Sequence, residues 1–208
     1  MTLAQTDTSS SASSFDATPL AHAQRDMRTA YLDGAPGVLV SGTVWAVAAC
    51  YAALVSPERA IWVLFVGGAC IHPLAVLLVR LLGRSGRHAA GNPLGPLAMA
   101  TTVWMIMMLP LAYGIALWRI ELFFPAMLFV IGGRYFCFHT LYGRRLYWAF
   151  GAVLAAAGWG LAAAHAAPVL GAFAGAAIEI VFACLLFAGA RRQASVQSAA
   201  VDDALSKT

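Results

Sequence analysis

Residues 121–148 read ELFFPAMLFVIGGRYFCFHTLYGRRLYW, an apolar run with an arginine, Arg134, in its middle. A hydrocarbon core of ~30 Å needs about 20 helical residues at 1.5 Å each, so the run predicts a transmembrane helix with Arg134 near mid-depth. A central arginine costs roughly 2.5–3.5 kcal/mol on the insertion scale. Such a residue therefore marks a functional site whose partner is to be sought elsewhere in the chain. The candidate partner is Glu179.

The rest of the chain has the same character. Of 208 residues, 61% are hydrophobic and 11% charged, against about 25% charged in soluble domains. This excludes an ordinary soluble fold and predicts an all-α polytopic membrane protein. The net charge of +4 implies no nucleic-acid partner, because in such a chain the placement of charge matters more than its sum.

Six apolar segments are read at roughly 37–55, 58–82, 94–118, 121–143, 146–165 and 168–190, a six-helix transmembrane domain over 37–190. Ser56-Pro57-Glu58 has the form of an N-cap, a proline at the first helical position and an acid in the first turn; Asn92-Pro93 and Ala167-Pro168 open the third and sixth spans in the same way. Residues 1–36 are Ser/Thr/Ala-rich, lack a signal-peptide core and are expected to be a disordered cytosolic tail. Within them Arg25–Asp33 has the makings of a short interfacial helix, with the Asp33–Gly37 cluster turning the chain into the membrane. Residues 191–208 form a second cytosolic tail.

The two tails and the second and fourth loops hold ten of the 13 basic residues, whereas the opposite side has only Arg59 and Arg119, each beside an acid. The positive-inside rule then puts both termini in the cytoplasm, with Trp62 and Trp118 in the outer aromatic belt and Tyr142, Tyr147 and Trp148 in the inner one. Twelve arginines against one lysine suggest a GC-rich bacterium, and hence the bacterial inner membrane.

Counted inward from the outer ends, His72, Arg134 and Glu179 lie about 14, 13 and 11 residues into their spans, and all three come out near mid-depth. A His72, Arg134 and Glu179 polar cluster is expected, serving either transport or packing. Thr43, Thr102 and His139 are candidate cavity-lining groups. Gly171 and Gly175 precede Glu179 at intervals of four, and with Gly67, Gly68, Gly132 and Gly133 they are expected to allow close helix packing. Thr43-Val44-Trp45 and Thr102-Val103-Trp104, each followed by a Gly-Gly and a Cys-x-His, suggest three helix-hairpin repeats related by an axis along the membrane normal.

Cys70-x-His72 and Cys137-x-His139 do not predict a metal site, since residues at i and i+2 on a helix point about 200° apart. No haem, other cofactor or catalytic residue is expected, and the four cysteines read as small apolar side chains within spans. GGRYFCFHTLYGRRLYW, together with VSGTVWAVAA at 40–49 and GNPLGPLA at 91–98, resembles a family of small bacterial membrane proteins that is a domain of unknown function, over roughly residues 30–190. The resemblance implies a multi-pass protein and supplies no activity; rhomboid, acyltransferase, phosphatidyltransferase and small multidrug-exporter signatures are absent.

The partners expected are the lipid bilayer and a small solute or proton. The leading functional expectation is a small-solute or proton-coupled transporter. The alternatives are an accessory membrane subunit with a packing ion pair, or a membrane-embedded enzyme acting on lipid or quinone, which lacks a recognisable nucleophile. From the basic asymmetry, reporter fusions at residues 91 and 195 are expected to read cytoplasmic and one at residue 166 periplasmic; a periplasmic reading at 195 overturns the orientation.

Overall fold

The computed structural model describes the backbone of residues 19–206, with side chains to Arg192 and that of Ser195. Among these residues there are helices and no strands. They are α1 (Pro19–Tyr31), α2 (Ala35–Leu54), α3 (Pro57–Leu81), α4 (Leu94–Trp118), α5 (Phe123–Tyr142), α6 (Leu146–Ala163) and α7 (Pro168–Ser206). Six of the helical stretches are long and apolar enough to cross a membrane. The start signals act as expected at α3, where the Ser56 hydroxyl accepts the Arg59 amide at 3.3 Å and Pro57 takes the first position. At α4 the Asn92 side-chain Oδ1 accepts the Leu94 amide at 2.9 Å.

The expected disordered tail is corrected from Pro19 onward, where the chain is helical; residues 1–18 lie outside the described residues. At the other end α7 runs on as helix past Arg192 to Ser206.

α2 packs mainly on α7 and α3, and α5 mainly on α6, while α4 leans on α5 alone among the spans. α3 and α4 touch only lightly, near the ends joined to α2 and α5, through Trp62 and Tyr113 with centroids 5.6 Å apart. Their outward side chains are apolar (Val66, Leu74 and Leu77 on α3; Met99, Ile106 and Met107 on α4), as lipid-facing helices require. The interior carries an aromatic column: Tyr135 stacks on Phe150 at 4.0 Å and Phe150 on Phe182 at 4.3 Å. Aromatic pairs of this kind contribute about 0.5–1.5 kcal/mol each beyond their burial. Tyr142 and Tyr147, expected in an interfacial belt, are buried instead and stack on one another.

The repeated Thr-Val-Trp segments do not occupy equivalent places. Trp45 is buried against α7, whereas Trp104 is exposed on α4.

α1 closes one end of the bundle. The last four carbonyls of a helix lack intrahelical donors, and α1 supplies two of those missing to α5: Gln24 Nε2 donates to the Thr140 carbonyl and Arg28 to the Tyr142 carbonyl, both at 2.8 Å. Both donors approach beside Gly143, whose φ of +63° lets the chain leave α5 in the left-handed conformation. On the other flank Asp26 accepts from the Ala89 amide at 2.8 Å and from Asn92 Nδ2 at 2.7 Å, while Tyr31 meets His88 Nδ1 at 3.0 Å.

Leu32, Asp33 and Gly34 then turn into α2 with φ of +50°, +56° and +81°. This turn is held on both sides. The Asp33 carboxylate takes both Nε and a terminal nitrogen of Arg144, at 3.0 and 2.5 Å, and the Tyr147 hydroxyl donates to the Asp33 carbonyl at 2.6 Å. Asp33 is 3% exposed. Removing one partner of a buried pair leaves the other charge uncompensated, at roughly 3–5 kcal/mol. Asp33→Asn and Arg144→Leu are each expected to lower the melting temperature in detergent markedly, and the double variant by less than the sum; additive losses would show that the pair is not coupled.

Candidate functional site

Glu179 stands 11 residues past the start of α7 at Pro168, and Arg134 11 residues past the start of α5 at Phe123. Each is therefore about 17 Å along its helix, close to half of a ~30 Å core. The two residues stand at matching distances along their helices. The expected pair is not formed: no Arg134–Glu179 ion pair lies within 4 Å, and the ion pairs among the described residues are Arg119–Glu121 and Arg144–Asp33.

The reason is rotational. Consecutive helical residues diverge by about 100°, and on α5 it is Tyr135 that faces α7, which turns Arg134 toward α4. His72 is further removed still. The buried positions of α3 are Ala60, Ile61, Leu64 and Val79, with Gly67 continuing that stripe against Val44; His72 lies off it and is exposed on the outer face with Cys70. The three residues thus do not form one cluster.

Glu179 is 0% exposed, and neither carboxyl oxygen has a hydrogen-bond partner. Its polar neighbours are the hydroxyls of Ser41 on α2 and Tyr135 on α5, close enough to act on it but outside hydrogen-bonding geometry. One turn away, the Trp45 indole N–H is also buried and unpartnered. The seam that encloses this group is made by small residues. A Cβ on Gly42 would come within 3.2 Å of the Glu179 Cβ, and one on Gly175 would fall inside contact distance of the Trp45 ring. Ser41, Gly42 and Trp45 share one face of α2, as spacings of three and four require.

Arg134 reaches the opposite way. One terminal nitrogen donates to the Thr102 hydroxyl at 3.0 Å, the other to the Met105 sulfur at 3.4 Å, and Nε is buried without a partner. Its guanidinium carbon lies 5.2 Å from the centroid of the Phe138 ring. Thr102 in turn donates to the Ala98 carbonyl at 3.1 Å.

The remaining expected residues divide. Thr43 is exposed and its hydroxyl bonds back to the Leu39 carbonyl at 2.9 Å, so it lines no cavity. His139 lies near the end of α5, with Nδ1 3.1 Å from the Arg144 carbonyl. Gly67, Gly132, Gly133, Gly171 and Gly175 all pack closely, with Gly132 against the Gly151 carbonyl and Gly171 against Phe124. Gly68 meets nothing within 4 Å. That Ser41, Gly42, Trp45 and Tyr135 surround Glu179 had no signal in the sequence. Among the described residues no three His, Cys, Asp or Glu side chains converge as metal ligands would.

A model of a family of unknown function (DUF7010) matches residues 20–189, most of the chain, which therefore belongs to that family. No curated protein and no solved structure matches it.

Alanine ordinarily stabilises a helix relative to glycine by roughly 0.5–1 kcal/mol, whereas overpacking a filled site costs about 1–3 kcal/mol. Gly175→Ala and Gly42→Ala are accordingly expected to lower the melting temperature, and Gly68→Ala to leave it unchanged or raise it; equal effects at all three would remove the close α2–α7 seam.

Proposed function

We propose that this member of the family is a small proton-coupled membrane transporter in which Glu179 is the proton-binding group. The observation that carries the reading is a carboxyl wholly buried half-way through a bundle of membrane-spanning length, with neither an ion pair nor a hydrogen bond. An ionised carboxylate in such surroundings is costly without a countercharge, and intramembrane acids of this kind serve proton relays.

The neighbouring groups suit proton exchange. A carboxylate only accepts hydrogen bonds, whereas a carboxylic acid also donates one. A proton on Glu179 would give it a donor for the Ser41 or Tyr135 oxygen after a small side-chain rotation, and its loss would leave the same hydroxyls as donors to the carboxylate. Both protonation states thus have partners within reach, which a packing role does not require. Orientation follows the basic asymmetry, with α1 and the α5–α6 turn on the cytoplasmic side of a bacterial inner membrane.

The test is proton movement in proteoliposomes carrying an internal pH dye, under an imposed gradient and a panel of small solutes. Wild-type protein is expected to move protons with at least one solute class. Glu179→Gln, which keeps size and polarity but cannot take up or release the proton, is expected to fold and insert normally and to lose at least tenfold in rate. Undiminished flux in Glu179→Gln, or no flux in wild type across the panel, would end the transporter reading and leave the carboxyl a packing element of the α2–α7 seam.

A further inference from the structure

We propose that the α4–α5 seam at Arg134 is a binding site for a small organic monoanion, a carboxylate with an apolar tail. The inference deepens the transporter reading, on which it rests for the movement of the ligand, by naming the class of solute.

A guanidinium carries five N–H donors. Those of Arg134 make two protein contacts, one to the Thr102 hydroxyl and one to the Met105 sulfur, a weak acceptor. Three donors are left, among them the buried Nε, and no carboxylate of the described residues lies within 4 Å. A guanidinium fork with free donors and no counter-ion is the geometry that takes a carboxylate bidentately.

The surroundings select the ligand. Phe138 lies under the guanidinium and Met105 beside it, and the Trp104 ring closes on Gly133 next to it; these offer contact to an apolar tail. One positive charge in apolar walls matches one negative charge, and a phosphate dianion brings a second that nothing here offsets. Arg134 also stands about 17 Å along α5 from Phe123 and about 12 Å from Tyr142, beyond the ordinary depth of a phospholipid headgroup. α4, which supplies Thr102, packs mainly on α5 and meets α3 only lightly, at Tyr113, so the seam can part without dismantling the α2–α7 contact.

Charge balance joins the two sites. A carboxylate on Arg134 and a proton on Glu179 together enter as one acid and leave as one acid, with no net charge moved and only proton transfers to and from the Glu179 oxygen.

The experiment measures thermal stability of the purified full chain in neutral detergent and in phosphatidylcholine nanodiscs. The probes are butyrate, hexanoate and benzoate, with butyramide, inorganic phosphate and phosphatidylglycerol as comparisons. A saturable rise in melting temperature is expected with the carboxylates and none with the amide or phosphate. Apparent affinity is expected to fall at least tenfold in Arg134→Gln and less in Arg134→Lys and Thr102→Val, the latter two being read if Arg134→Gln does not fold. Glu179→Gln is expected to keep carboxylate binding. Equal shifts from butyramide, affinity undiminished in the Arg134 and Thr102 variants, or a response to phosphatidylglycerol alone would each overturn the site, the last assigning it to a lipid headgroup. Carboxylate binding without flux would keep this site and sink transport; proton flux indifferent to carboxylate would do the reverse.

Discussion

The close approach of α2 to α7 is the contact on which the rest of the bundle depends. In lipid there is little hydrophobic gain from bringing two apolar helices together, so packing density and polar contacts decide which helices pair. Gly42 and Gly175 remove the side chains that would hold these helices apart, letting Trp45 fill the space over Gly175 and Ile180 the space over Gly42. The same approach encloses Glu179 completely. Had either glycine been larger, the carboxyl would have had room to turn out of the seam, and its burial would no longer be imposed by the fold.

The polar groups of the protein fall into two regimes. At the α1 end, charges and helix termini are satisfied by bonds from several elements: Asp33 with Arg144, Asp26 with Asn92, Gln24 and Arg28 with the end of α5. Half-way along the spans the opposite holds. Among the described residues, the buried side-chain nitrogen and oxygen atoms without partners belong to Trp45, Arg134 and Glu179, each well inside its helix. Such groups are uncommon in native proteins, and each requires a reason; the proposed proton and carboxylate sites would supply one for Glu179 and Arg134.

Much of the fold was legible because the chain is punctuated. Serine, asparagine and proline mark helix starts at Pro57, Leu94 and Pro168, and a 20-residue apolar run has few alternatives to a spanning helix. Distance along each helix was legible too, since it needs only a count of residues. Rotation about the helix axis was not. The spans are apolar on nearly every side, so periodicity has no contrast from which to tell Arg134 facing α4 from Arg134 facing α7, or to show that His72 points outward. Tyr142 and Tyr147 illustrate the same blindness: position alone suggested a headgroup belt, but stacking and the Tyr147 bond to the Asp33 carbonyl take them inside. A short helix at Arg25–Asp33 was legible, but the start of α1 at Pro19 and its docking were not, for another reason. The helix is polar and short, and what holds it is not its own pattern but the unfilled carbonyls and loop amides of elements far along the chain.

That last contact sets an order for biosynthesis. Asp33 leaves the ribosome 111 residues before Arg144, the partner that fixes its turn. At ~5–20 residues per second the interval is roughly 6–20 s. During it, Asp33 and the donors of Gln24 and Arg28 have only solvent and headgroups to bond, while four spans enter the bilayer. Although made before the spans, α1 is thus among the last elements to be locked, and its docking reports that α4, α5 and α6 have all arrived in register. A chain stalled or cleaved before residue 144 would have Ala89 and Asn92 in place for Asp26 but neither Arg144 nor Tyr147 for Asp33, so α1 would be held on one flank and the turn into α2 left open.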